Sequence, residues 1–267
     1  MADGVFPALL KYWRGRSGQS QLDLALSAAV SARHISFLET GRARPSEAMV
    51  LRLMEALGVP LRHQNDALIA AGFAGRFPEV ALDGLPEAVQ SAINRMLLQQ
   101  EPYPMAVMAA DYTVLQHNAA AGRIFAQFVA VPERLTAGPV DMFTLILDPA
   151  LGRTFVRDWQ MIARRMLIRL QREISRTGDG RLVALLDRVL KFPGVDTLLR
   201  HPDEEPQSYS TMEIWLERED MVLGFLTTLT AFSAPCNMLL DELRLESYFP
   251  LDEKTRLLCE QMAGGQV

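Results

Sequence analysis

Ser20-Gln21-Leu22-Asp23-Leu24-Ala25, then Val30-Ser31, then Ile35-Ser36-Phe37-Leu38-Glu39-Thr40-Gly41-Arg42, is the stretch on which the fold of this chain turns. Ser20 reads as an N-cap, with Asp23 three positions on in the acid place of a capping box. Leu24, Ala25 and Ala28 share one face of the helix that follows. Ala28-Ala29-Val30 is a tight turn. Ser31 caps a second helix that turns Ile35 and Leu38 inward and leaves Ala32, Arg33, Ser36, Phe37 and Thr40 on the opposite side. Gly41 ends that helix.

The same punctuation continues outward. Leu9, Leu10 and Trp13 lie at helical spacing in a first helix from Val5, and Gly18 stops it. Pro45 and Ser46 open a fourth helix carrying Met49, Val50, Leu53 and Leu57 up to Gly58, and a fifth runs from Leu61 to Ala71 before Gly72. These five short helices predict a compact all-α domain over residues 1–75. Gly75 to Leu85, with Pro78, Gly84 and Pro86 around it, has the composition of a connector, so a linker is expected at 76–85 and a second domain at 86–267.

The second domain reads differently. A helix from Pro86 to Gln100 is broken by Glu101-Pro102-Tyr103-Pro104, and Met105 to Gln116 reads as two strands joined at Ala110-Asp111-Tyr112. Helical spacing returns from Asn118 to Phe128. The longest helix is expected from Arg153 to Arg176, where Phe155, Trp159, Ile162, Met166, Leu170 and Ile174 form one apolar stripe. Arg181 to Leu190 is a further amphipathic helix, and His201 to Gln207 is a polar loop. Ser210 to Glu217 and Met221 to Phe232 read as antiparallel strands. This order is α+β, not a Rossmann-type alternation.

Charge and composition narrow the function. The chain carries a net charge of -5, which argues against a protein that coats nucleic acid or membrane over its whole surface. Before residue 75, however, eight basic residues face six acidic ones, so the acid excess belongs to the rear. Cys236 and Cys259 match no metal or redox spacing. The start MADGVFPALLKYW lacks the basic and apolar regions of a secretory leader, and no run approaches the roughly 18 apolar residues of a spanning helix, so a reducing cytoplasm is expected. His34, His63, His117 and His201 are scattered outside any metal or nucleophile arrangement. There is also no Gly-rich phosphate-binding motif, so neither catalysis nor a nucleotide cofactor is indicated.

The bihelical unit resembles the Cro/repressor-type (Xre) helix-turn-helix, matching SQ-x-x-LA, V-S and IS-x-LE-x-G in order and spacing. A helix lying in the major groove of double-stranded DNA needs small or polar outward side chains, which Ala32, Arg33, Ser36, Phe37 and Thr40 supply. Arg33 is the expected reader of guanine, and Phe37 suits a thymine methyl. Gln21 and Ser31, at helix starts, and Arg42 and Arg44, just past the second helix, would meet phosphates. The plainer reading makes Ser20 and Ser31 caps only and the others solvated surface. Glu39 is expected to be structural, with Arg14 or Arg52 as its partner.

Beyond the connector, Glu101-Pro102-Tyr103-Pro104 and Asp111 to Ala120, with Thr227 to Pro235 and Glu242 to Pro250, resemble the ligand-binding domain of MmyB-like transcription regulators. The resemblance implies a multi-domain chain: an all-α five-helix Xre-type domain followed by an α+β PAS-like sensor whose sheet and helices enclose a fatty-acid-like ligand. The chain departs from the family pattern at Leu147-Asp148-Pro149-Ala150, where a histidine often precedes the proline, and at Ala234, where glycine or threonine is commoner. The stripe and strands nominate Phe143, Trp159, Ile162, Met166, Leu170 and Phe225 as pocket residues. Asn118 and Thr228 would be polar anchors, and Arg165 the cation for an acid head. Core packing is the plainer reading for each, and the row Arg165, Arg169, Arg172, Arg176 is expected to be a solvated face. The implied protein is a dimeric regulator of a palindromic operator with no cofactor beyond a bound small molecule. The rivals are a rear domain that only dimerises, or one that transforms its ligand.

Overall fold

A computed structural model describes residues 4–135, 138–199, 212–233, 235 and 237–265. The polar loop expected at His201 to Gln207, the strand start at Ser210 and the family position Ala234 lie outside them. The chain divides into two compact units. One is Met1–Val80 together with Ala234–Asp241, and the other is Ala81–Ser233 together with Glu242–Val267.

The front unit holds α1 (Val5–Arg16), α2 (Gln21–Ser27), α3 (Ala32–Glu39), α4 (Glu47–Ala56) and α5 (Leu61–Ala70). Local chemistry sets each start. Ser20 Oγ accepts from Asp23 N at 3.1 Å while Asp23 Oδ2 accepts from Ser20 N at 2.8 Å, completing the capping box of α2. Ser31 caps α3 through His34 N at 3.1 Å, and Ser46 caps α4 through Met49 N at 3.3 Å. Between α2 and α3 the chain reverses at Ala29, whose φ of 52° is the left-handed region that glycine ordinarily occupies. Leu10, Trp13, Leu24, Ile35, Leu38, Val50, Leu53 and Leu68 close a single core behind α3.

The rear unit opens with α6 (Glu87–Gln99), β1 (Met105–Met108), β2 (Val114–His117) and α7 (Ala119–Ala126). It continues through α8 (Met142–Leu147), α9 (Trp159–Thr177), α10 (Gly180–Val189), β3 (Met212–Arg218) and β4 (Met221–Thr230). A short helix α11 (Met238–Glu242) precedes β5 (Arg244–Pro250) and α12 (Glu253–Ala263). The strands form a five-stranded antiparallel sheet in the order β2-β1-β5-β4-β3. Phe143 of α8, Ile162, Met166 and Leu170 of α9 and Leu182 and Leu185 of α10 pack with Ile214, Leu216, Leu223, Phe225 and Tyr248 from the sheet.

Two features differ from the sequence reading. The helix expected from Arg153 is interrupted: Arg153–Phe155 is a 3₁₀ turn, and α9 begins only at Trp159. Between them Val156 bridges to Leu216, and Arg157 N donates to Trp215 O at 2.9 Å, so this stretch is extended to cover the edge strand β3. The second feature is β5, the central strand, which no alternation announced because Glu246 sits buried within it.

Opposite Trp215 on β3, β4 places Gly224. A Cβ there would fall 2.5 Å from the Trp215 ring, so glycine lets the indole lie across the strand. Gly224 N, free of the ladder to β5, donates to the buried Thr255 Oγ1 at 3.0 Å and ties α12 to the sheet.

Candidate DNA-reading surface and ligand pocket

The inner side of α3 is held by a buried carboxylate. Glu39, whose side chain is only 4% exposed, receives Arg14 Nε at 2.5 Å and Arg14 Nη2 at 3.1 Å. Gln21 Nε2 donates to the same carboxylate at 2.7 Å, and Arg14 Nη1 donates to Gln19 O at 2.9 Å. Burial works to raise the Glu39 carboxyl, but the hydrogen bonds from Arg14 and Gln21 and the charge of Arg14 together hold it below the usual carboxylate range. Arg14 is therefore the partner, and the arrangement fastens the ends of α1, α2 and α3 to one another.

On the far side, Ser31, Arg33, Arg42 and Arg44 are exposed, and Ala32, Ser36, Phe37 and Gln21 are half-buried. The Arg33 guanidinium lies 5.2 Å from the Phe37 ring centre, one turn along the helix. Gln21 spends one amide hydrogen on Glu39, so a phosphate would be met by the other. Thr40 departs from its expected role: its hydroxyl donates back to Ser36 O at 2.8 Å and Phe37 O at 3.3 Å, so its proton stays within α3.

The rear unit separates the nominated ligand residues. Phe143, Met166, Leu170 and Phe225 have no exposure and lie within the packed core. Asn118 is fully used: Oδ1 accepts from Met105 N and Ala121 N, both at 3.0 Å, and Nδ2 donates to Tyr103 O at 2.8 Å and Leu97 O at 3.3 Å. As the N-cap of α7 it has no hydrogen-bonding capacity left for a ligand. Thr228 stands three residues from Phe225 on β4, which puts it on the other face of the sheet. Trp159 is covered by Arg153, whose guanidinium lies 3.4 Å from its ring centre.

Ile162 and Arg165 do come together, in a pocket of about 300 Å³ that Arg157, Asp158, Met161, Glu213 and Trp215 also line. Sequence reading missed these last five because their convergence depends on the break before α9 and on its pairing with β3. Arg157 pairs with Glu217, and its guanidinium lies 5.0 Å from the Trp215 ring centre. A second, apolar space of about 30 Å³ lies among Phe125, Phe128, Met142, Ile146, Leu216 and Tyr248. That is room for about one water molecule.

The arginine row on α9 is not a uniform solvated face, because Nε of both Arg165 and Arg169 is buried. Arg169 lies 5.3 Å from the Tyr112 ring centre, and Tyr112 Oη donates to Glu173 Oε2 at 2.6 Å. Tyr248 Oη donates to Glu246 Oε2 at 3.2 Å. Burial pushes the Glu246 carboxyl upward, against the lowering effect of Arg169 and of the Tyr248 hydrogen bond. Burial likewise raises the Tyr112 and Tyr248 hydroxyls.

Among the described residues no group of three or more His, Cys, Asp or Glu is placed to hold a metal ion, and no helix is long and apolar enough to cross a membrane. A search of curated proteins finds no match to the chain. Residues 6–68 match the family model of a helix-turn-helix domain, which covers α1 to α5 and identifies the front unit as a DNA-binding domain. Residues 89–262 match the model of the MmyB-like transcription regulator ligand binding domain, which covers the whole five-stranded sheet. The chain, with its helix-turn-helix unit ahead of that domain, belongs to the MmyB-like transcription regulators.

Proposed function

We propose that the protein is a one-component cytoplasmic regulator that acts as a homodimer on a palindromic operator, and that a small apolar or fatty-acid-like molecule in the rear unit shifts its operator affinity. The observation that carries the DNA half is the exposed Arg33, braced by Phe37 on a helix whose inner side is fastened through Glu39. One such unit makes few base contacts, and a two-fold pair on a palindrome doubles them.

For the ligand, the support is the pocket beside β3. Met161, Ile162 and Trp215 offer apolar contact, Arg157 and Arg165 offer positive charge, and Asp158 and Glu213 balance it. That lining suits an amphipathic molecule with one polar end better than a polyanion. The complete burial of Phe143, Met166, Leu170 and Phe225 favours a second reading, in which the rear unit is a filled dimerisation module. Native mass spectrometry of the purified protein separates the two: an intact copurified lipid-like mass supports sensing, and a dimer that stays bare when offered fatty acids supports the second. Selection of bound sequences from random DNA should return an inverted repeat, and a single asymmetric site would sink the palindrome.

A further inference from the structure

The front unit contains a second piece of chain. Besides Met1–Val80 it takes in Ala234–Asp241, the connection between β4 and β5, so these neighbouring strands are joined by a strap that belongs to the DNA-binding unit. The strap supplies something α5 lacks. Pro60, the residue before Leu61, makes no side-chain cap, and the first amide of the helix donates instead to Asp241 Oδ2 at 3.0 Å. A carboxylate at that end also meets the positive pole of the helix.

Two further contacts seat the strap. Met238 N donates to Pro78 O at 3.2 Å. Asn65 of α5 donates to Phe77 O at 2.7 Å, accepts from Arg76 N and Phe77 N, and lies 3.7 Å from Met238 Sδ. Met238 and Leu240 are buried, and Asn237 Oδ1 accepts from Leu240 N at 2.9 Å to start the short helix. The next residue after Asp241 belongs to the rear unit: Glu242 takes two hydrogen bonds from Arg181 of α10, at 2.7 and 3.0 Å. Adjacent carboxylates are thus fixed in different units.

We propose that this strap is the coupling element of the protein. A shift of β4 or β5 moves Asp241 against the start of α5, and α5 carries Ala67 and Leu68 into the core that backs α3. The proposal rests on the reading of the rear unit as a sensor, but the mechanical link is testable with neither ligand nor DNA.

The test is amide hydrogen exchange by NMR on the full chain. Asp241→Ala should speed exchange of the Leu61 amide by about fivefold, as expected for loss of a cap, while Asp241→Asn, which keeps an acceptor oxygen, should preserve its protection. Thr230 is exposed at the end of β4 and pairs with Leu245 of β5. Thr230→Gly, which loosens that pair, should speed Leu61 exchange about threefold in the wild-type and Asp241→Asn backgrounds and leave it unchanged in Asp241→Ala. Faster exchange at Leu229 and Thr230 with an unmoved Leu61 would overturn the proposal, as would an equal response in Asp241→Ala. If transmission is seen in a protein that binds no fatty acid, the strap stands and the sensor reading falls.

Discussion

Gln21 Nε2 stands 2.7 Å from Glu39 Oε2, so the first residue of α2 and the last of α3 are joined across the helix-turn-helix by one hydrogen bond to a buried carboxylate that Arg14 also holds. The Glu39 carboxyl is depressed in the folded state, so its contribution to stability is present above the ordinary carboxylate range and is lost as pH falls through the folded value. We expect the thermal midpoint of the wild type to fall below about pH 4 and Glu39→Gln to flatten that dependence. At neutral pH the substitution should cost about 2 kcal/mol by weakening a buried ion pair, as read by urea unfolding.

Glu246 should behave in the opposite sense. Its carboxyl is raised by burial, so the associated stability is present at low pH and is lost as pH rises through the folded value. Glu246→Gln should therefore raise the melting temperature more at pH 8 than at pH 5. An equal change at both values would show that the carboxylate charge is fully compensated.

Arg33→Ala should weaken specific operator binding by about 1–3 kcal/mol and relax sequence preference at one base pair, measured by titration at fixed salt. Arg33→Lys should recover little, because an ammonium cannot bridge two acceptors of one base or stack on Phe37 as a guanidinium does. Thr40→Val, by contrast, should leave operator affinity within about twofold, since its hydroxyl proton is spent inside α3.

Ala29 sits at φ 52° in the turn between α2 and α3. Ala29→Gly relieves the left-handed strain at a smaller entropic cost, for a net gain of about 0.5–1 kcal/mol. A lower midpoint in a thermal melt would count against this account of the turn.

Gly224→Ala should cost about 1–3 kcal/mol, because the new Cβ meets the Trp215 ring at 2.5 Å. The displaced indole would open the pocket side of β3. The matching signature is a red-shifted tryptophan emission, read alongside the thermal midpoint.

The front unit was legible because its signals are local. Ser20, Ser31 and Ser46 mark helix starts within three residues of the amides they cap, and Gly18, Gly41 and Gly58 mark ends by the left-handed conformation each adopts. The rear unit yielded its hairpins and the face of α9, but features set by distant partners stayed hidden. Val156 leaves the helical path because β3 needs an edge partner, and Glu246 disguises a central strand because Tyr248 and Arg169 make its burial tolerable. The pocket depends on both units of pairing around β3, so of its lining only Ile162 and Arg165 were visible from spacing. Asn118 and Thr228 were nominated for their chemistry, whereas cap geometry and strand parity decide where each can act.

The central strand of the sheet is the last of the five to be made. β1 leaves the ribosome long before β5, yet each is the other's neighbour, so the rear sheet waits for Arg244–Pro250 while the front helices have already folded on short-range contacts. A product truncated before β5 would therefore carry the front helices ahead of a sheet split at its centre, with β1 and β4 both left as open edges.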